Sequence, residues 1–453
     1  MKLNTKHNRL ILLLNLLLIT FTVTAGDSIK SRFLSLDSAI SMGIQHSHQV
    51  GMAGAQVTQA HSALGEVKDF IMPNVDVALA YTRLSNVPVE YFTIPGSPEE
   101  IPSTALFPII LNNYSATASL QESVFNGFQW KYGVVELQYN EKSAEYNYES
   151  KKKDVALNII TLYLDLFKLN KAHYLIKQSL EQINAHVKEI SDFASHGLAT
   201  QNDVLSIKLQ LSNTQLSEID INNQMQTINF NLDIMLGIPE NTTIQIDTNT
   251  ILSDKTIQPL PYYLQKFEGN RNDIQAANMQ EKSAEANIKL TQSGVYPKLS
   301  IGADYNYLRP NPRIVPPLDQ FQPSWDIGFR LSYSLTGLYE NKNKAAESRA
   351  KLLEAQSSYD QLTDAAKMDI NQSYTQYKQA LEKTQVAESS LDQAKENYKI
   401  VKSKYDNHVS LVTDLLDANN YLLNAEINVI SAKADAQLAY YSLLKAAGEL
   451  ATK

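Results

Sequence analysis

The run from Ser324 to Leu335 alternates without interruption, with Trp325, Ile327, Phe329, Leu331, Tyr333 and Leu335 on one face and Asp326, Gly328, Arg330, Ser332 and Ser334 on the other. A period of two with unlike faces is that of a strand between an apolar phase and water. The run is about as long as a tilted strand that crosses a membrane. Three more stretches repeat the pattern. Val75, Val77, Leu79 and Tyr81 oppose Asn74, Asp76, Ala78, Ala80 and Thr82; Tyr114, Ala116, Ala118 and Leu120 oppose Ser115, Thr117, Ser119 and Gln121; Leu299, Ile301, Ala303, Tyr305 and Tyr307 oppose Lys298, Ser300, Gly302, Asp304 and Asn306. Proline-rich segments, Ser85 to Asn113 and RPNPRIVPP from Arg309, separate the members of each pair and read as loops.

Everywhere else the period is helical. Helices are expected from Leu36 to Ile71, Phe128 to Ser195, Thr200 to Leu236, Leu264 to Gly294, Gly337 to Asp406 and Leu411 to the end. Ile176, Leu180, Ile183, Val187 and Ile190 fall at alternating steps of four and three, the seam of helices packed side by side. The helix before each turn is about 70 residues, about 100 Å long, and two shorter helices together match it. Met72-Pro73 matches Tyr296-Pro297, Phe125-Asn126-Gly127 matches Leu335-Thr336-Gly337, and Gly197 with Asp203, Val204 and Leu205 matches His408 with Asp414, Leu415 and Leu416. This is an internal duplication of helix, strand, loop, strand, long helix, turn, helix. It divides the chain into a leader at 1–25, a first repeat at 26–237, a polar connection at 238–262 and a second repeat at 263–453.

The leader carries Lys2, Lys6 and Arg9 ahead of an apolar run from Leu10 to Phe21, with Val23, Thr24 and Ala25 at its end. That is the pattern of a secretory signal peptide cleaved after Ala25. The chain has no cysteine, which removes disulfides, thiolate metal sites and thiol nucleophiles. A formal charge of −8, without a basic cluster interleaved with aromatics, speaks against nucleic acid as a partner. His46 and His48 form no metal-ligand pattern. Phosphate-loop, G-x-S-x-G and H-E-x-x-H motifs are all missing, so neither an enzyme nor a bound cofactor is expected.

Four lipid-facing strands leave two open edges, which hydrocarbon does not tolerate, so several chains are expected to share one closed barrel. Two chains would give about eight strands and a filled interior; three give about twelve, and a transport path favours three.

In its duplicated order, the proline that opens each strand pair, the F-N-G of Phe125 to Gly127 and the paired turns GLATQNDVL from Gly197 and HVSLVTDLLDA from His408, the chain resembles the TolC-type outer membrane efflux proteins. The resemblance implies a homotrimer in the lipid of the bacterial outer membrane. Its fold would be mostly α, a twelve-strand β-barrel continued into the periplasm by a twelve-helix α-barrel. It would be a passive duct for tripartite efflux or type I secretion, joined through a periplasmic adaptor (membrane fusion) protein to an inner-membrane pump or ABC exporter. The resemblance also places the adaptor-docking tip at Gly197, Leu198, Ala199, His408, Val409 and Ser410. His408 stands where the family often has Gly, and Ser410 where some members carry Arg. Asp203 and Tyr405 match other members of a tip-bridging network.

Asp414 and Asp417 lie three apart on one helix face. The residues alone favour carboxylates that stabilise a helix N-terminus; the resemblance makes them instead an acidic periplasmic gate. The same two readings hold for Asp203. His408 is either a solvated turn residue or a group that titrates near neutrality. Asp76, Asp304, Asp326 and Arg330 face the barrel lumen if the apolar face meets lipid; in a soluble sandwich they would face solvent. A rival reading is a periplasmic coiled-coil structural or adaptor protein bridging membranes, which accounts for the heptads but not for four alternating strands. The exported substrate, whether drug, metal or protein, is not written in the chain.

Overall fold

The computed structural model of the chain describes residues 31–452, apart from positions 87, 89, 94, 97, 99, 103, 105–107, 241, 247–254 and 408. The expected signal peptide and His408 therefore lie outside the described residues.

The protein is mostly helical, with one antiparallel sheet set between helices. In the first half, β1 (Ser31–Leu34), α1 (Leu36–His46) and α2 (His48–Asp69) precede β2 (Asn74–Arg83), a short hairpin β3 (Tyr91–Thr93) and β4 (Glu100–Pro102), and β5 (Asn112–Phe125). Then come α3 (Gln129–Ser195) and α4 (Gln201–Leu236). The second half follows the same plan: β6 (Thr243–Ile246), α5 (Leu260–Asn270), α6 (Asn272–Ser293), β7 (Lys298–Arg309), β8 (Gln322–Ser332), α7 (Gly337–Asp406) and α8 (Val412–Ala446). The long helices α3 and α7 run 67 and 70 residues, about 100 Å each.

Two expectations are corrected in detail. The helices predicted from Leu36 to Ile71 and from Leu264 to Gly294 are each broken once, at Ser47 and at Arg271, both of extended backbone. Ser47 ends α1 and caps α2 by accepting from the Val50 N–H. At the second break the Arg271 side chain closes the gap. Its Nη2 donates to Asp273 Oδ2 at 2.7 Å, and its Nη1 to Asp369 and to the Ala446 carbonyl, both at 3.1 Å, which ties the end of α8 to the α5–α6 joint. A second unforeseen feature is the parallel pairing of β1 with β6. It lies over the middle of α3, where the buried Tyr163 hydroxyl donates to the Leu34 carbonyl.

The large core is built here. Ile159, Ile160, Tyr163, Leu164 and Phe167 of α3 pack with Ala39, Ile40, Leu232, Leu236 and Ile244. A second cluster sits at the far end of the long helices, with Ile183, Ile190, Val204, Ile207, Tyr405, Val412, Leu415 and Leu416. Among the described residues, no helix is long and apolar enough to cross a membrane.

The main sheet has the order β2-β5-β7-β8, every neighbouring pair antiparallel. Its central pair, β5 and β7, joins the two halves of the chain. The turn from β5 into α3 needs its glycine: Gly127 has φ +73, and a Cβ there would meet the Ser293 carbonyl oxygen and Tyr296 Cβ at 2.9 Å. Asn126 Oδ1 accepts from the Trp130 N–H and fixes the first turn of α3.

Candidate functional site

Two surfaces carry the chemistry that the sequence singles out: the faces of the sheet, and the turns at the far end of α3 and α7.

On the sheet, alternation and register together sort the side chains. Val77, Ala118, Tyr305 and Trp325 form one transverse row of the apolar face, and Val75, Leu120, Ala303 and Ile327 form the next. This face is open to its surroundings; Phe329 is 82% exposed and Leu79 79%. The apolar face reaches along β7 from Leu299 to Arg309, about 34 Å of strand or about 26 Å of height at the usual barrel tilt. That is the height of the lipid-facing band of a membrane barrel.

The opposite face is polar. Asp76 pairs with Ser119, Ser119 with Asp304 and Asp304 with Asp326, so the three aspartates stand in one row across all four strands. Gly302 and Gly328 fill two positions of the adjacent row, which also holds Asn74 and Gln121. Arg330 lies two rows below the aspartates, opposite Ser300. The sheet thus brings Asp76, Asp304 and Asp326 to one level and sets Arg330 apart from them. Arg313, from the β7–β8 loop, stands outside the alternation that marks the strands; its Nη2 meets Asp326 Oδ2 at 2.6 Å and its Nη1 donates to the Trp325 carbonyl. Asn311, 2% exposed, holds this loop by donating to the Gln322 carbonyl and Ser324 Oγ.

At the other end, α3 closes with Gly197 at φ +72, and the Leu198 N–H reaches back to the Phe193 carbonyl. This six-to-one bond is a Schellman closure, which favours glycine at that position. Leu198 is left 76% exposed and Ala199 half-buried. Thr200 then caps α4 reciprocally: its Oγ1 accepts from the Asp203 N–H, while Asp203 Oδ2 accepts from the Thr200 N–H at 2.9 Å. The second turn repeats half of this device. Asp414 Oδ2 accepts from the Leu411 N–H at 3.1 Å and from Ser410 Oγ at 2.8 Å, but Leu411 has no side-chain oxygen to return the bond. Val409, like Leu198, is 76% exposed. Asp414 and Asp417 are both exposed on one face of the first turns of α8.

Behind the turns, Tyr405 is buried among the aliphatic residues of the second cluster and meets the His186 ring edge-to-face. Burial first, then the charges of Glu189, Asp406 and Asp203, push its hydroxyl up to about 12, so it stays a neutral donor. Asp203 acts on Tyr405 through its charge, while its own hydrogen bonds go to Thr200. His186 also meets Glu189 at 3.0 Å, a pair that only the folded chain reveals. The S/T-x-x-D spacing of Thr200 and Asp203 is the sequence signal that marks the first cap.

This arrangement offers a lipid-compatible wall, an acidic level behind it and an apolar-tipped pair of turns. The chain matches a family model described as "Outer membrane efflux protein" over residues 39–238 and 263–449. It is 18% identical over 310 residues to the outer membrane protein TolC of Vibrio cholerae, covering 68% of this chain and 71% of that one. Among solved structures, VceC of Vibrio cholerae superposes with a TM-score of 0.74 at 18% identity, over 91% of this chain and 96% of the other. The CmeC outer membrane channel of Campylobacter jejuni gives 0.74 at 16% identity, over 92% and 86%.

Proposed function

The chain belongs to the outer membrane efflux protein family, and from that premise we propose that three copies form a passive duct from the periplasm to the cell exterior. The observation that carries this is the pair of open strands at the ends of a lipid-faced sheet, β2 and β8. Unpaired backbone groups are too costly in hydrocarbon, so the sheet must close on itself or on copies. Four strands are too few to close alone; three chains supply about twelve. In this reading Asp76, Asp304, Asp326 and Arg330 face the lumen, and the helices continue the wall into the periplasm as a twelve-helix barrel.

The turns then form the periplasmic tip. Exposed Leu198 and Val409 offer apolar knobs to a helical adaptor, beside Gly197, Ala199, Ser410 and His408. An adaptor in turn couples the duct to an inner-membrane pump or ABC exporter, which supplies the energy in tripartite efflux or type I secretion. Asp414 and Asp417, two per chain and so six in a trimer, converge on the entrance as an acidic gate. Like charges gathered at a narrow mouth attract cations. Asp203 and Tyr405 brace the turns from behind.

The assembly is tested by fractionation and gel mobility. A heat-sensitive trimer in outer membrane fractions supports it, and a soluble monomer recovered after membranes are removed overturns it. The gate is tested in planar bilayers: Asp414→Ala with Asp417→Ala should weaken block by multivalent cations, and unchanged block removes the gate assignment.

A further inference from the structure

The apolar face of the sheet is charged in only a few places, and their positions follow a pattern. Its strand positions carry just two basic residues, Arg83 at the end of β2 and Arg309 at the end of β7. Both lie at the sheet end remote from the helices. The acid on this face, Glu122, lies toward the other end, opposite Ile301. Along the strands Arg309 marks one limit of the apolar band and Leu299 the other, so the guanidinium sits at headgroup depth in the outer leaflet.

The surroundings of the two arginines fit that depth. The Arg309 guanidinium lies 5.5 Å from the Tyr114 ring centroid and 5.7 Å from that of Phe321. Phe321 stacks on Tyr307, and Tyr81 packs against Tyr114, giving a continuous aromatic rim. Such rims belong at a membrane–water boundary. Arg309 uses Nε to meet Asp319 at 2.9 Å, and Arg83 uses Nη1 to meet Asn112 Oδ1 at 2.7 Å. Each side chain is thereby held in place by one nitrogen. Two strand spacings and two residues of offset put the arginines about 12 Å apart.

We propose that this outward rim, carried by Arg83 and Arg309, binds the phosphate groups of lipid in the outer leaflet. Planar guanidinium groups held against aromatic rings suit phosphate oxygens. Asp319 offsets one of the two arginine charges, so Arg83 leaves this group of three net positive, while the acid on the strands of this face, Glu122, lies at the far end. The inference rests on the reading of the sheet as part of an outer membrane barrel.

The test compares retention of bisphosphorylated lipid A with that of the same lipid after enzymatic dephosphorylation, on the detergent-purified assembly, by native mass spectrometry. Wild-type protein is expected to retain the phosphorylated form about tenfold better. Arg83→Ala with Arg309→Ala should abolish the preference, and Arg83→Lys with Arg309→Lys should keep part of it. Equal retention of the two lipid forms by the wild type overturns the proposal. So does complete displacement of the lipid by inorganic phosphate, which would mark a free-anion site. Channels of normal conductance that show no lipid preference defeat this inference alone, whereas a chain that forms no channel defeats the reading beneath it.

Discussion

Asp304 and Asp326 stand directly opposite each other across the β7–β8 pair. Like charges in that position destabilise a strand pair, and the loop beyond supplies the relief through Arg313, 2.6 Å from Asp326. Arg313→Ala is expected to cost no more than about 1 kcal/mol of stability, because the ion pair is exposed to water. On the proposed reading that this face lines the lumen, its larger effect is on permeation: three unrelieved aspartates per chain at one level should raise the preference for cations. The zero-current potential of reconstituted channels in a KCl gradient measures this, and adding Asp326→Asn in the same chain should reverse the shift.

The turn between β5 and α3 makes a sharper stability prediction. Gly127→Ala puts a Cβ on a residue at φ +73 and drives it to 2.9 Å from the Ser293 carbonyl oxygen and Tyr296. The left-handed backbone alone costs about 1–2 kcal/mol, and the contact adds to it. A thermal melt should show a clear loss, whereas alanine at Gly51, where a Cβ meets nothing within 4 Å on a helix, should stabilise slightly.

What the sequence revealed and what it hid divide along physical lines. Strand faces and long helices were legible because periods of two and three and a half repeat over many residues, as in Trp325 to Leu331. The strand expected to reach Leu335 ends at Ser332, where the chain turns toward α7. Register was not, because it depends on how each loop closes; the row of Asp76, Asp304 and Asp326 appears only once the strands are paired. The breaks at Ser47 and Arg271 were masked by helical periodicity that continues on both sides. Arg313 lies in a proline-rich loop where no period constrains its direction, so Arg330 drew attention as the strand's basic residue. The end of α3 was legible through Gly197 and the first cap through the Thr200–Asp203 spacing, but the bonds of Asp203 and Asp414 to the Thr200 and Leu411 N–H groups appear only in the folded turns.

Those caps are unequal, and the difference can be exploited. Thr200→Ala removes the oxygen that accepts from the Asp203 N–H and should cost about 1 kcal/mol. Leu411→Thr supplies the missing oxygen at the matching position of α8 and should gain a similar amount. Hydrogen exchange at the first turns of α4 and α8 reports each change separately: protection should fall at Asp203 in the first variant and rise at Asp414 in the second.

Asp233 predicts a pH dependence seated far from both surfaces, near the end of α4. Its side chain is fully buried, with Oδ1 left without a hydrogen-bond partner, while Oδ2 accepts from Asn229. Burial chiefly, with the nearby Glu240 charge, raises its carboxyl to about 6, against a hydrogen bond from the Thr242 backbone that acts in the other direction. A carboxyl raised in the folded state binds its proton more tightly there than in the unfolded chain. Its contribution is therefore fully present below about pH 4, is lost as the pH climbs through about 6, and remains a penalty at neutral pH. Melting temperature should fall over that window in the wild type. In Asp233→Asn, which cannot ionise, this step should vanish and stability at pH 7.5 should rise above that of the wild type; a step of unchanged size in the variant would assign it to another group.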